Sequence, residues 1–362
     1  MTQRDADAIF NRCTRFVPGH YRLSPQQMLA ALAAYAPPDL APDMYGEGKL
    51  INDFEAEIAA LLGKPAAVFM PSGTMAQQIA LRIWAERSGN RNVAFHPTNH
   101  LETFEQQAFR ELHHLSGIQV GNASYLMTLD DLKKVRSPIG TLLLELPQRF
   151  IGGMLPTWDE LTAIAAWARE QGITLHMDGA RLWEAQPFYG RSYAEICALF
   201  DSVYVSFYKT LGGISGAALV GDERLINEAK VWQRRHGGNL PRMYPFVLAA
   251  KMGLDQRLSQ MDAYYRKACA IAGAISQIEG IEIKPNPPQC NLMQVYFKRD
   301  KERLWEAVLD IAEESGTLLA YYFMPSPIPA YCMQELTIGD AALDIPTEEI
   351  AALFADLLRR SA

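Results

Sequence analysis

Two short runs carry the residues best suited to chemistry: His-Met-Asp-Gly-Ala-Arg at 176–181 and Ser-Phe-Tyr-Lys-Thr-Leu-Gly-Gly at 206–213. Each follows an apolar stretch of strand type and delivers one ionisable group where that stretch ends, Asp178 in the first and Lys209 in the second. An acid at such a place is costly to bury unless a cation pairs with it. Burial of a lysine lowers its pKa and frees the amine to form an imine. Gly212-Gly213 then bends the chain with no side chain to crowd a ligand. An acid and an amine delivered in this way suit a cofactor that needs a Schiff-base lysine and an anionic partner for a ring nitrogen, as pyridoxal 5'-phosphate (PLP) does. The plain alternatives are an Asp178 that caps the next helix and a Lys209 that snorkels to the surface.

A third run, Pro71-Ser72-Gly73-Thr74, falls at the end of the apolar stretch Ala66–Met70 and opens a helix. Ligands of open parallel sheets sit beyond the carboxyl ends of the strands. Free N–H groups and the helix dipole favour a phosphate there. Gly73 lets the backbone approach, and the hydroxyls of Ser72 and Thr74 can donate. Ser and Thr are also ordinary N-caps, which is the structural alternative for this run.

The elements that must position these groups follow from periodicity. Helices are expected from Pro25 to about Ala36, capped by Ser24, and from Leu50 to Leu62. Strands at Ala66–Met70, Val93–Phe95, Thr141–Leu144, Thr174–Met177 and Ser202–Phe207 alternate with helices at 73–88, 103–112 and 158–171. Repeated β-α-β units imply a mostly parallel sheet with helices on both faces. A long helical stretch at 254–278, the strand Leu292–Phe297 and a Pro-rich segment with Pro325, Pro327 and Pro329 suggest a smaller α+β domain. The expected division is an N-terminal segment at 1–45, a large domain at 46–255 and a small C-terminal domain at 256–362.

Composition narrows the class. The 362 residues are 49% apolar and 21% charged, with a net charge of −7. That is ordinary for a globular enzyme and weighs against nucleic acid as a partner. The five cysteines, Cys13, Cys197, Cys269, Cys290 and Cys332, are odd in number and lack metal-ligand spacing, so a reduced cytoplasmic chain without a bound metal is expected. No apolar run reaches the ~18 residues that would cross a bilayer, and the first residues carry no signal-type apolar core.

Four stretches together resemble the threonine aldolase and β-eliminating lyase family of fold-type I PLP enzymes. They are MYGEGKLINDFEAEIAALLGKPAAVFMPSGTMAQQIAL (44–81), NHLETFEQQ (99–107), LHMDGARLWEA (175–185) and SFYKTLGGISGAALVG (206–221). The resemblance runs from about 44 to 255. It implies a fold-type I α/β architecture, PLP as cofactor and cleavage of the Cα–Cβ bond of a β-hydroxy-α-amino acid. Lys209 is similar to the Schiff-base lysine and Asp178 to the partner of the pyridine nitrogen. Gly73 and Thr74 resemble the phosphate-binding pair. His100, in the pattern His-x-x-x-aromatic-Glu, is similar to the imidazole stacked on the cofactor ring. Arg181 resembles the arginine that holds the substrate carboxylate. A solvent-facing His100 and a structural ion pair at Arg181 stay open as alternatives, and His113 and His114 are expected to face solvent.

Three places depart from the family pattern. Where the aldolases carry a Glu-Asn-Thr-His type run, this chain has Glu145-Leu146-Pro147-Gln148-Arg149-Phe150-Ile151-Gly152-Gly153, so the histidine associated with the β-hydroxyl is gone. The small domain has no arginine in Tyr331–Leu336 to clamp a carboxylate. Arg149 is the candidate substitute, or a contact for another anionic group, or a plain surface residue. Near the N-terminus, Phe16–Tyr21 replaces a Ser-Asp type run, which makes His20 an additional candidate contact. The loop Trp232–Gly238 resembles one that reaches a neighbouring subunit's cofactor, implying a homodimer or homotetramer. The competing readings are β-elimination or amino transfer on another amino acid, a PLP-binding protein without catalysis, and a nucleotide-binding Rossmann protein. The last needs a Gly-x-Gly-x-x-Gly turn, for which Pro71–Thr74 supplies one glycine.

Overall fold

A computed structural model describes residues 5–326 and 328–362. Pro327 of the Pro-rich segment and the first four residues lie outside that description. The chain divides into two compact units. One comprises the chain up to Leu23, Gly152–Met154 and Gln260–Ala362; the other comprises Ser24–Ile151 and Leu155–Ser259. The expected boundary at 255/256 thus lies four residues before Gln260, and the expected N-terminal segment is divided at Leu23.

The larger unit is built on seven strands: β1 (Ala66–Met70), β2 (Asn92–Phe95), β3 (Ser116–Gln119), β4 (Thr141–Glu145), β5 (Thr174–Gly179), β6 (Ser202–Ser206) and β7 (Ala217–Gly221). Their order in the sheet is β1-β7-β6-β5-β4-β2-β3. All pairings are parallel except those of β7, which runs antiparallel to both β1 and β6. β4 to β7 are buried along nearly their whole length, as expected of strands covered on both faces. Alternation along β1 shows the two faces. Val68 and Met70 pack with Ile79, Ile83 and Ile226 from the helices Gly73–Ser88 and Glu223–Arg235. Phe69, pointing the other way, lies 6.0 Å from Phe54 and 5.9 Å from Phe207, centroid to centroid. Each such buried ring contributes on the order of 1.5–3 kcal/mol.

Local signals explain most element ends. Ser24 and Gln27 form a capping box at the start of Pro25–Tyr35. Thr157 and Glu160 do the same for Trp158–Glu170. Two expectations are corrected. The helix expected at 103–112 is two short helices, His100–Thr103 and Ala108–His113, separated by Gln106 and Gln107 at φ 51° and 59°. The long stretch 254–278 is also interrupted, by a 3₁₀ turn at Leu258–Gln260 between Tyr244–Arg257 and Met261–Ile275.

The smaller unit holds a four-stranded antiparallel sheet, ordered β10-β11-β9-β8, from β8 (Ile281–Lys284), β9 (Leu292–Phe297), β10 (Met324–Pro325) and β11 (Cys332–Thr337). Arg15–Phe16 pairs in parallel with Thr317–Leu318. The core gathers Met293, Val295 and Phe297 with Leu304, Val308, Phe354 and Leu357. His20 lies in this unit, where its Nδ1 is 3.0 Å from the Asp340 carboxylate and accepts from the Asp340 N–H at 3.1 Å. Among the described residues no helix is long and apolar enough to cross a membrane.

Candidate active site

The carboxyl ends of β4, β5 and β6 bring three polar residues to one level. Glu145 is the cross-strand partner of Asp178, and Asp178 is the partner of Tyr204. In parallel strands residues in register point to the same face, so the three side chains form a row. Asp178 is 2% exposed and Tyr204 3%. One oxygen of Asp178 accepts from the Ala180 N–H at 3.1 Å. Beyond β6 the chain turns at Lys209. The Gly212 N–H donates to the Lys209 carbonyl at 2.9 Å and the Gly213 N–H to the Phe207 carbonyl at 2.8 Å. Gly212 sits at φ +73°, and a Cβ on Gly213 would meet the Phe207 carbonyl at 2.8 Å. Glycine is therefore required by the turn that aims the lysine.

Lys209, Asp178, Glu145, His100, Arg149 and Arg181 all line one cleft, with Gly73 and Thr74 also lining it. Burial, and then the nearby Arg181 charge, hold the Lys209 amine below the usual lysine range, while Asp178 and Glu145 pull the other way. Asp178 and Lys209 are thus brought together, as is Gly73. Gly73 begins the helix Gly73–Ser88, and a Cβ on it would fall within the envelope of the Tyr204 hydroxyl. Ser72 is placed differently. Its Oγ accepts from the Met75 N–H at 3.3 Å as the N-cap of that helix, and it is not among the residues lining the cleft.

His100 opens the first of the two short helices. The left-handed pair Gln106-Gln107 follows Glu105, whose carboxylate lies 2.9 Å from His100 Nδ1. Glu105 also accepts from Gln78 Nε2 at 2.6 Å. An ionised carboxylate can only accept, so the imidazole carries its proton on Nδ1 and presents a basic Nε2. The ring stacks on Phe104 at 5.4 Å, and Phe104 stacks on Phe150 at 5.1 Å. The Arg149 guanidinium lies 4.9 Å over Phe150. Arg181 lines the cleft and also pairs with Glu184 at 3.2 Å.

His113 corrects an expectation: it is 4% exposed rather than solvent-facing. Its Nδ1 lies 3.3 Å from Arg82 and its Nε2 3.2 Å from His236. An arginine can only donate, so His113 accepts at Nδ1 and carries its proton on Nε2. Burial, then the charges of His236 and Arg82, lower its pKa to about 4.

Sequence reasoning did not single out Glu145 or Tyr204. The signal for Glu145 is the one used for Asp178, an acid that ends an apolar strand. Tyr204 is hidden inside the run Ser202–Phe207, where an aromatic reads as core.

The donor set fits PLP. Gly73 and Thr74 at a helix N-terminus offer a cradle for phosphate, Asp178 offers an anion to a ring nitrogen, and Lys209 offers a buried amine. A family model for β-eliminating lyases matches residues 25–299. The crystal structure of a Listeria monocytogenes protein assigned as an L-allo-threonine aldolase is 42% identical. It covers 98% of each chain, with a TM-score of 0.93. Low-specificity L-threonine aldolase of Candida albicans is 30% identical over 277 residues, 71% of this chain and 70% of the relative. Aldolase vrtJ of Penicillium aethiopicum is 35% identical over 241 residues, 64% of this chain, and the match spans 60% of that protein's length. The chain belongs to the β-eliminating lyase family, a PLP-dependent family with the fold-type I architecture.

Proposed function

We propose that this chain cleaves the Cα–Cβ bond of a β-hydroxy-α-amino acid, releasing an aldehyde and an amino acid such as glycine. The observation that carries the reading is the single cleft in which Lys209, Asp178 and His100 meet next to Gly73. Bound PLP supplies an aldehyde carbon for amines and a cationic ring that accepts the electrons of a breaking bond at Cα. Lys209 is the amine that would anchor the cofactor. Its lowered pKa leaves a larger share of neutral nucleophile. Asp178, fixed by the Ala180 N–H, would hold the ring nitrogen and favour its protonated form. Gly73 and Thr74 hold the phosphate, and Ser72 serves that end by capping the helix.

Arg181 holds the substrate carboxylate through a guanidinium fork and is itself steadied by Glu184. That contact would fix how the substrate's Cα is oriented in the cleft. Nε2 of His100, or a water on it, takes the proton of the β-hydroxyl, and Glu105 steadies the resulting imidazolium. Arg149 sits in the same cleft and takes the place of the missing small-domain clamp. The histidine lost from the run 145–153 points to a β-hydroxy amino acid other than, or broader than, L-threonine. A homodimer or homotetramer in the cytoplasm completes the reading.

The test mixes purified protein with L-threonine, L-allo-threonine and β-phenylserine and assays aldehyde and glycine. Release from at least one is expected. No aldehyde from any of them, with pyruvate or a keto acid formed from another amino acid, overturns the reading in favour of elimination or amino transfer.

A further inference from the structure

The cleft holds one acid that the chemistry above leaves without a task. Glu145 ends β4 as Asp178 ends β5, the two are direct cross-strand partners, and both line the cleft with Lys209. Its carboxylate is held from several sides. Asn99 Nδ2 at 3.2 Å and Gln148 Nε2 at 2.9 Å donate to Oε2. The Arg149 backbone N–H donates to Oε1 at 3.2 Å. An acid anchored this way does not swing out to water when it ionises.

Two carboxyl groups side by side in a low-dielectric site resist double ionisation and titrate as a pair. Burial, and then the Asp178 charge, push Glu145 up to about 7, against the Arg149 N–H and the charges of Lys209 and His100. The groups facing it are therefore Asp178 on β5, Lys209 beyond β6, His100 on its short helix and Arg149 at the start of the 3₁₀ turn Arg149–Ile151. Lys209 feels the same acid in return. Asp178 and Glu145 favour its cation, whereas burial, Arg181 and Arg149 oppose it.

We infer that Glu145 is a positioning residue for Lys209: beside Asp178 in the cleft, its charge sets how readily the lysine nitrogen gives up its proton. The inference deepens the proposed function and rests on it for Lys209 as the reacting amine. With Glu145 protonated the cleft has one anion fewer, and the neutral lysine nitrogen is favoured. With Glu145 ionised the lysine proton is held more tightly.

The test is a pH titration of the visible absorbance of the cofactor-loaded full chain, which reports whether the Lys209 nitrogen carries a proton. Glu145→Gln keeps the shape and fixes the uncharged state, so its midpoint moves down by roughly 0.5–1 pH unit, a three- to tenfold change in proton affinity. Glu145→Asp keeps the charge and returns most of the shift. Gln148→Leu removes one donor to the ionised acid, so its midpoint moves in the same downward direction. It serves where Glu145→Gln does not fold. A merely structural role lowers cofactor retention or the melting temperature without moving the midpoint. Curves that superimpose on the wild type for both Glu145→Gln and Gln148→Leu overturn the inference while borohydride still fixes cofactor on Lys209. Loss of that fixation in the wild type overturns the reading of Lys209 instead.

Discussion

At the scale of single residues, position on the sheet decides what each ionisable group can do. Asp178 and Glu145 are both acids at strand ends and are cross-strand partners, yet their surroundings separate their tasks. Asp178 takes a backbone N–H and faces the lysine. Glu145 is ringed by donors and pushed up to about 7. In the proposed function, replacing Asp178 by Asn removes the anion that pairs with the ring nitrogen. Turnover is expected to fall by about a hundredfold or more while cofactor stays bound. Steady-state kinetics with an accepted β-hydroxy amino acid checks this, and near wild-type turnover would refute it. The Lys-Gly-Gly turn and the Asp-Gly-Ala-Arg end were visible in the sequence because polarity changes abruptly where an apolar strand stops. The tie between His100 and Glu105 was visible only as a spacing. The left-handed Gln106-Gln107 pair that follows it has no glycine to announce it. Burial of His113 depends on Arg82 and His236, partners remote in sequence.

At the scale of elements, the helix Gly73–Ser88 and β6 share one tight contact. Tyr204 reaches from β6 to the first residue of that helix, so Gly73→Ala must displace either the tyrosine or the helix start. The variant is expected to lose PLP on dialysis and to melt lower by about 2 °C or more; unchanged retention and melting would contradict the packing. The same helix carries Arg82, which adds to burial and to His236 in holding His113 neutral. With a folded pKa of about 4 against the ordinary 6.5, His113 binds more protons when unfolded between those values. Stability from this group is therefore present above pH 6.5 and is lost as pH falls toward 4. His113→Gln should show a smaller drop in melting temperature between pH 7 and 4.5 than the wild type does. Equal drops in the two proteins would remove His113 as a contributor. The strands β1, β4, β5 and β6 were predictable from runs of apolar residues. β7 was not singled out, because Ala217–Gly221 follows β6 without a helix between them and returns antiparallel. The interruption at Leu258–Gln260 was equally silent, since no Pro or Gly marks it.

At the scale of the whole molecule, the mostly parallel sheet and the antiparallel α+β unit agree with the fold read from alternating elements. The unit boundary was displaced because the smaller unit recruits residues up to Leu23 and Gly152–Met154, a pairing across the chain that local patterns do not record. Large apolar side chains remain exposed on the larger unit: Phe104 at 53%, Tyr208 at 37%, Met44 at 58% and Ile214 at 45%. Where such groups gather in one patch they mark an association surface, and a homodimer or homotetramer is the assembly proposed above. Sedimentation should therefore give two or four times the 40.4 kDa of one chain, and a monomer at micromolar concentration would contradict the shared assembly proposed here. The central claim, that Lys209 and Asp178 serve one bound cofactor, is tested most directly by borohydride reduction of the loaded protein followed by peptide mapping. The account predicts a fixed cofactor adduct on Lys209 in the wild type and none anywhere in Lys209→Ala. An adduct on a different lysine, or one that persists in Lys209→Ala, would contradict it.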